Sequence, residues 1–275
     1  YPMHMNDTGT QALSGLAKGQ PLADAQQQLT KGGCMMVAGL CDPSFVAHRL
    51  EVSRHRSSEV MAQLGAQTIG IGSAAGFEEV VQRSPGRWDI PISPDEFDVD
   101  DRALPWWPLI TAVLGEYAEY SFSGVVYSDP GSPAQCWHID SPHVSADHLP
   151  PHALNVMVAL HDIPLSMGPT ELALGSHRLT NHLQNRALVS EELVYQHETT
   201  CPERLVVGTS QDTPANFSPA LTAGSCLIFD DRILHRGLAN DSNKRRSMVY
   251  FSYRRAGYRE NTHFEAQRSI YAADP

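Results

Sequence analysis

The chain of 275 residues carries a formal net charge of −11, and 41% of its residues are hydrophobic. This composition favours a packed core over a disordered chain, and the acidic balance argues against a nucleic-acid partner. No segment approaches the roughly 18 consecutive apolar residues of a membrane-spanning helix, so we expect no membrane association. The five cysteines form no CxxC pair and the amino end lacks a signal-peptide pattern, which favours a reducing, cytoplasmic environment.

Helices are predicted in the first third of the chain. Residues 22–31 place apolar side chains on one face of a short helix, which a Gly-Gly pair ends. Asp42 and Pro43 are typical of the start of a second helix, because aspartate caps free backbone N–H groups and proline fits the first turn. This second helix is predicted to reach about Leu64, and a third covers 109–114.

Strands and loops are predicted for the remaining segments. The apolar run from Cys34 to Leu40 indicates a buried strand, and residues 65–101, rich in glycine, proline and acidic residues, indicate a long ordered loop. Short apolar or alternating segments follow at 120–128, 135–140, 154–160, 170–174, 225–229 and 247–253. Such strands favour a β-sandwich or barrel. We therefore predict one domain over residues 1–275, with a helical first third (about 1–119), a β-rich core (about 120–255) and a tail (256–275).

The most informative segment contains His138 and Asp140, two positions apart. Side chains alternate along a strand, so both would point to one face and could bind the same metal ion. His235, 97 positions after His138, follows another apolar segment and is the candidate third ligand. Two histidines and one carboxylate on one face of an octahedron leave positions for a cosubstrate and O₂, which suits non-haem Fe(II) better than zinc.

Other interpretations of these residues stay open at this point. A His-x-Asp pattern is short and the chain has 13 histidines, so the pattern alone is weak evidence for a metal site. His143 and His148 lie nearby and either could take the place of His235. Their proline-rich surroundings are more typical of a loop or a surface role.

A basic cluster, Lys244-Arg245-Arg246, precedes the last apolar segment. A cationic side chain on a strand that faces a core needs an anionic partner, and the planar guanidinium of arginine binds a carboxylate through two hydrogen bonds. A metal at His235 and an arginine eleven positions later could hold the two ends of one small diacid, and 2-oxoglutarate fits. An exposed basic turn is the simpler alternative, and periodicity does not choose between Arg245 and Arg246.

These segments together resemble the phytanoyl-CoA dioxygenase family of Fe(II)/2-oxoglutarate oxygenases. Residues 130–140, with Gln135 three positions before the histidine and a tryptophan directly before it, resemble the first metal motif of the family. Residues 168–177 resemble its second block, and the segment from His235 to Arg246 resembles its third. In that family the cosubstrate arginine lies eleven positions after the distal histidine, which selects Arg246.

The resemblance implies a fold, a set of site residues and a chemistry. The implied fold is mainly β, a double-stranded β-helix or jelly roll braced by α-helices from the first third of the chain. The implied iron ligands are His138, Asp140 and His235, and the implied 2-oxoglutarate contacts are Arg246, Gln135 and Thr170. The implied cofactors are Fe(II), 2-oxoglutarate and O₂. Asn155, which heads an apolar strand, could also face the site.

The expected reaction is the oxidation, most simply the hydroxylation, of a small organic metabolite such as a natural-product intermediate, with release of succinate and CO₂. Residues 65–107 and 179–223 are expected to cover the mouth of the barrel and to select the substrate. Trp88, Trp106 and Trp107 fit core packing better than a pocket wall, and Arg87 fits a surface salt bridge better than a substrate contact.

Two other functions fit part of the pattern. A metal-dependent hydrolase or isomerase on a cupin-like barrel would use the metal ligands without needing Arg246. A non-catalytic binding barrel would need none of the four residues. The complete set of two histidines, one aspartate and one arginine favours the oxygenase.

Overall fold

Strands outnumber helices in the computed structural model of the protein, which describes residues 22–180, 216–259 and 268–272. Within these ranges the α-helices are α1 (Leu22–Gly32), α2 (Pro43–Leu64), α3 (Pro94–Phe97) and α4 (Trp107–Leu114). The strands are β1 (Cys34–Val37), β2 (Val81–Ser84), β3 (Arg87–Pro91), β4 (Glu119–Ser128), β5 (Ala153–Ala159), β6 (Thr170–Ala173), β7 (Asn216–Phe217), β8 (Cys226–Asp230), β9 (His235–Gly237) and β10 (Arg246–Arg254). None of these helices combines the length and apolar character needed to cross a membrane.

The strands form two antiparallel sheets. The larger sheet has the order β1-β8-β5-β10-β4-β3-β2, and the smaller has the order β7-β6-β9. Most neighbouring strands are far apart in the chain, as in the pairing of β1 with β8 and of β10 with β4. Two antiparallel sheets connected in this way are the layout of a jelly roll.

One face of the large sheet packs against the helices. Phe251 and Tyr253 of β10 belong to a buried cluster on this face that includes Trp106. The Trp106 indole N–H donates a hydrogen bond of 2.9 Å to the Tyr253 hydroxyl. Trp88 and Trp107 are partly buried against the same cluster. The expectation that the tryptophans pack in the core is therefore confirmed.

The opposite face of the large sheet lies against the small sheet. Leu227 and Phe229 of β8 pack there with Leu172 of β6. Because side chains alternate along a strand, Arg246 and Ser252 of β10 project to this face, away from the helix-covered side that holds Phe251 and Tyr253. The predicted site residues thus meet between the two sheets.

The predicted helix starts and stops agree with the structure. Helix α2 begins at Pro43, and the Asp42 carboxylate accepts a hydrogen bond of 2.8 Å from the Phe45 N–H. The helix ends at Leu64, which is buried. Local capping chemistry was enough to predict this element because it involves neighbours in the sequence.

The predicted loop at 65–101 was wrong, because the segment contains two strands of the large sheet. Strand β3 pairs with β4, and β2 pairs with β3 at the sheet edge. Both strands are short. The alternation of Arg87 and Asp89 with Trp88 and Ile90 in β3 is typical of a strand, but the glycine, proline and acidic residues around it favoured a loop. From residue 22 to about residue 119, the chain therefore supplies three strands besides its helices.

Parts of the predicted insertion (179–223) and of the tail (256–275) lie outside the described residues. Cys34, Cys41 and Cys226 carry free, buried thiols, whereas Cys136 is disulfide-bonded. The prediction of a reducing environment did not anticipate that bond.

Candidate active site

Two backbone hydrogen bonds join His138 to His235. The His138 N–H donates to the His235 carbonyl at 3.0 Å, and the His235 N–H donates to the His138 carbonyl at 2.9 Å. His235 begins β9, whereas His138 takes part only in this isolated bridge, so the strand predicted at 135–140 is reduced to one pair. Residues opposed in an antiparallel pair project to one side, and the two imidazole centroids lie 4.3 Å apart.

Asp140 completes a cluster with the two histidines. One donor atom from each of His138, Asp140 and His235 lies within 4.8 Å of the others. Nδ1 of each histidine is 3.0 Å from a backbone carbonyl, that of Cys136 or of Ile233. Since a carbonyl only accepts, Nδ1 carries the proton of the neutral ring and Nε2 keeps its lone pair for a metal.

The electrostatics of the cluster suit metal binding. Burial, followed by the proximity of His235, lowers the pKa of His138 from 6.5 to about 4. The His138 ring is therefore neutral at pH 7 and can ligate without first losing a proton. The Asp140 side chain is 40% exposed, so the cluster is accessible from one side. His143 and His148 lie outside the cluster.

A chain of polar side chains holds the Asp140 carboxylate. Asn155 Nδ2 donates a hydrogen bond of 2.6 Å to Asp140 Oδ2, and Ser252 Oγ in turn donates to Asn155 Oδ1. Asn155 and Ser252 are cross-strand partners on β5 and β10. Asp140 Oδ1 lies 3.6 Å from His235 Nε2. Asn155 was expected to face the site, whereas nothing in the sequence distinguishes Ser252 from other serines.

Arg246 is buried at the start of β10, on the face that also bears Ser252. Its Nη1 donates to the Gly168 carbonyl, while its Nε has no hydrogen-bond partner among the described residues. Burial, followed by the proximity of Arg87, lowers the pKa of Arg246 from 12.5 to about 9. A buried guanidinium with an unsatisfied donor fits a carboxylate ligand. Arg245 instead is 51% exposed and pairs with Asp129 at 2.6 Å.

Gln135 and Thr170 flank Gly237, the residue two positions beyond His235. Gln135 Oε1 accepts a hydrogen bond of 3.0 Å from the Gly237 N–H, and Thr170 is the partner of Gly237 in the pairing of β6 with β9. A Cβ at Gly237 would lie 2.4 Å from Arg87 Nη1 and 2.9 Å from Gln135 Oε1. Any side chain at this position would therefore require Arg87 and Gln135 to shift.

Arg87 is buried, which corrects the expectation of a surface salt bridge. Its Nη2 donates to the Pro133 carbonyl at 3.1 Å and also to the Leu238 carbonyl. Arg87 and Arg246 are each the cross-strand partner of Ser128, on opposite sides of it. Two buried cations in one row make this end of the site positive, which favours an anionic ligand.

Comparisons with known proteins identify the family and the fold. The family model described as Phytanoyl-CoA dioxygenase (PhyH) matches residues 59–248. The structure is similar to that of the epimerase SnoN in complex with Fe3+, alpha ketoglutarate and nogalamycin RO, at 19% identity over 86% of this chain and 84% of that chain, with a TM-score of 0.56. It is also similar to the non-heme alpha ketoglutarate dependent carbocyclase SnoK from nogalamycin biosynthesis, at 17% identity over 88% of this chain and 85% of that chain, with a TM-score of 0.56.

A third similar structure is AviO1 from Streptomyces viridochromogenes Tue57, at 16% identity over 88% of this chain and 98% of that chain, with a TM-score of 0.55. At such identities the likeness concerns the fold. It confirms the prediction of a mainly antiparallel jelly roll.

Proposed function

The chain belongs to the phytanoyl-CoA dioxygenase family of Fe(II)- and 2-oxoglutarate-dependent enzymes, and from this premise we propose that it oxidises a small organic metabolite. The observation that carries the proposal is the pairing of a three-residue metal cluster with a buried, incompletely bonded Arg246. A hydrolase on a cupin-like barrel would have no use for such an arginine. We also propose that residues 1–275 form one such domain.

The proposed roles follow from the donor atoms of each residue. His138, Asp140 and His235 hold the iron, and Arg246 binds the distal carboxylate of 2-oxoglutarate. Gln135 and Thr170 are the further polar contacts of the cosubstrate. Support comes from strand β9, which carries the ligand His235 at its start and Gly237 at its end. Thr170 is the cross-strand partner of Gly237, and Gln135 accepts a hydrogen bond from its N–H.

The protein's own groups set the conditions of the reaction. When bound, Fe(II) with 2-oxoglutarate supplies the activation of O₂, and the cosubstrate leaves as succinate and CO₂. Nδ1 of each imidazole donates to a backbone carbonyl, which leaves the lone pair on Nε2 for the metal. Asn155 fixes one oxygen of Asp140 and leaves the other on the His235 side. Trp137 and Ile139, which alternate with the two ligands along the chain, are buried and pack with Leu234.

Tyr250 and Phe122 lie on the same face of the large sheet as Ser252, and their surroundings favour a substrate with both polar and apolar parts. Tyr250 donates a hydrogen bond of 2.7 Å to Asp89, and Asp89 is paired with Arg83 at 2.7 Å. Arg83 is close enough to contribute, after burial and His235, to the lowered pKa of His138. Phe122 is exposed and its ring packs against Tyr250. A metabolite with both hydroxyl or carbonyl groups and an apolar ring system would match these side chains.

A natural-product intermediate is the substrate class that we favour, with hydroxylation as the expected outcome. SnoN and SnoK, which share the fold, are described as an epimerase and a carbocyclase of nogalamycin biosynthesis. Epimerisation and ring closure by this protein are therefore outcomes to look for beside hydroxylation.

The test is oxygen-dependent turnover. The protein, loaded anaerobically with Fe(II) and 2-oxoglutarate, should develop a metal-to-ligand charge-transfer band, and exposure to air with a matching metabolite should release succinate. Mass spectrometry would show the gain of one oxygen atom, the loss of two hydrogens, or an isomer of unchanged mass. Product formation without O₂ would instead support a hydrolase or isomerase, and no response to 2-oxoglutarate would support a binding barrel.

A further inference from the structure

Asp231 forms hydrogen bonds with Asp140 and Ser141, through its backbone carbonyl and through its side chain. The Asp231 carbonyl accepts hydrogen bonds from the N–H groups of Asp140 at 2.9 Å and of Ser141 at 3.3 Å. The Ser141 hydroxyl donates to Asp231 Oδ2. His152 Nε2 lies 2.8 Å from Ser141 Oγ and 3.3 Å from Asp231 Oδ2. Ser141, His152 and Asp231 are all buried, so these bonds are shielded from water.

Asp140 needs such support because no strand holds its backbone. His235 belongs to β9, and His138 is bonded to it in the isolated bridge. Asp140 lies beyond that bridge, at the start of an irregular segment that continues to β5. Asp231 directly follows β8, so its carbonyl offers a fixed anchor for the segment that bears the third ligand.

The anchor is itself rigidly held. Asp230, the last residue of β8, forms a buried ion pair with Arg232 at 2.6 Å, and the Arg232 guanidinium also donates to the Leu149 carbonyl at 3.0 Å. The Ile233 N–H closes a turn on the Asp230 carbonyl at 3.0 Å. These bonds leave Asp231 little freedom to move independently of the strand.

The serine, histidine and aspartate do not have the geometry of a hydrolytic triad. In such a triad the histidine lies between the other two and contacts them through different ring nitrogens. Here Ser141 and Asp231 both approach Nε2 of His152, and the serine proton is donated directly to the aspartate. The serine is therefore not activated as a nucleophile, and the constellation is suited to holding the chain in place.

The constellation also contacts the segment after β10. The His152 ring is stacked on Tyr258, with centroids 4.1 Å apart and planes inclined by 19°. The Arg255 N–H donates to the His152 carbonyl at 2.7 Å. The segment that follows β10 therefore helps to fix the position of His152.

We propose that Asp231, together with Ser141 and His152, is the positioning group that places the Asp140 carboxylate for metal binding. The inference rests on the proposed function only for the identity of Asp140 as a ligand. Removing groups that orient ligands typically costs about 10- to 100-fold in metal affinity. Loss of this constellation should therefore weaken metal binding and alter the geometry of the bound ion without touching a ligand.

The test measures Co(II) binding by visible absorption and titration, with no need for turnover. Asp231→Asn should weaken Co(II) binding by about tenfold or more and change the ligand-field spectrum, while Ser141→Ala should have a smaller effect in the same direction. His152→Phe keeps the stacking surface for Tyr258 and removes the nitrogen, so it isolates the polar contact. Circular dichroism would establish that each variant is folded.

Matched controls separate positioning from general damage. Ser57→Ala removes another buried serine, which bonds to Tyr127 away from the cluster, and Asp162→Asn changes an aspartate that caps the Ala223 N–H. Both should bind Co(II) as the unaltered protein does. If Asp231→Asn does not fold, Ser141→Ala and His152→Phe decide the matter.

Unchanged affinity and an unchanged Co(II) spectrum in the folded Ser141, His152 and Asp231 variants would overturn the inference. Failure of the proposed function would look different, because the unaltered protein would then bind Co(II) yet release no succinate from 2-oxoglutarate in air.

Discussion

Arg87 and Arg246 stand on either side of Ser128 in one row of the large sheet, and both guanidinium groups are buried. Their proximity contributes, after burial, to the lowered pKa of Arg246, about 9. Backbone carbonyls accept hydrogen bonds from both guanidinium groups, but a carbonyl carries no net negative charge. A ligand with a carboxylate would neutralise it, which is why this end of the site is suited to a diacid.

We predict that Arg246→Lys raises the KM for 2-oxoglutarate. Lysine keeps a charge but loses the planar fork, and hydrogen bonds to charged groups contribute about 1.5–3 kcal/mol, so the expected increase is roughly 10- to 100-fold. Arg245→Lys is the control, because Arg245 is half exposed and paired with Asp129. Initial rates of succinate formation would measure both. Equal KM values for the two variants would assign the cosubstrate carboxylate to another group.

Asp140→Ala should abolish tight metal binding and succinate release. The change removes the only carboxylate of the cluster and leaves two imidazoles, which carry no negative charge to balance that of a divalent ion. Anaerobic Fe(II) titration and succinate assays would measure the loss. Near-normal product formation would show that Asp140 is not a ligand.

Asn155→Ala should weaken metal binding although Asn155 is not a proposed ligand. It frees Asp140 Oδ2 from its hydrogen bond, and loss of such a contact costs about 10- to 100-fold in metal affinity. Ser252→Ala should produce a smaller decrease, because it acts only through Asn155. Ser247→Ala, on the opposite face of β10, should have no effect. Isothermal titration with Co(II) would compare the three.

The stability of the metal-free protein should fall as the pH is lowered from about 6.5 to about 4. Burial lowers the pKa of His177 from 6.5 to about 4, so the unfolded chain takes up a proton in this window while the native state does not. The expected loss at pH 5 is on the order of 1–2 kcal/mol. His177→Gln should reduce the pH dependence without abolishing it, because the pKa of His138 is lowered in the same way. Urea unfolding would measure the free energy of unfolding at pH 7 and at pH 5. An equal loss between the two pH values in the unaltered protein and in His177→Gln would contradict the prediction.

Gly237→Ala should lower both stability and the affinity for 2-oxoglutarate. The added Cβ would lie 2.4 Å from Arg87 Nη1, and Arg87 cannot move freely because it bonds to two backbone carbonyls. Overpacking of this kind costs about 1–3 kcal/mol. Gly32→Ala is the control, since nothing lies within 4 Å of its Cβ position. Thermal unfolding and the KM for 2-oxoglutarate would test this prediction. An unchanged melting temperature for Gly237→Ala would show that Arg87 has room to shift.

Patterns of residues close together in the sequence were sufficient to predict the main helix, most core strands and two of the candidate metal ligands. The Asp42 cap and helix α2 depend on neighbours in the chain, and alternating apolar segments marked most strands of the core. The pattern of His138, Asp140 and His235, with an arginine eleven positions after the last, indicated a metal cluster because the chemistry requires those donor types. Arg246 was selected by the resemblance to a family, since periodicity left Arg245 equally suitable.

Long-range pairing decided the rest. Arg87 is buried only because β3 pairs with β4 and sets it beside Ser128. The alternation in β3 is visible in the sequence, but nothing in it identifies β4 as the partner strand. The contacts among Ser141, His152 and Asp231 join segments that no spacing rule connects. Burial and hydrogen-bond partners depend on which surfaces meet when the sheets pack, whereas capping and alternation depend on the backbone geometry of adjacent residues.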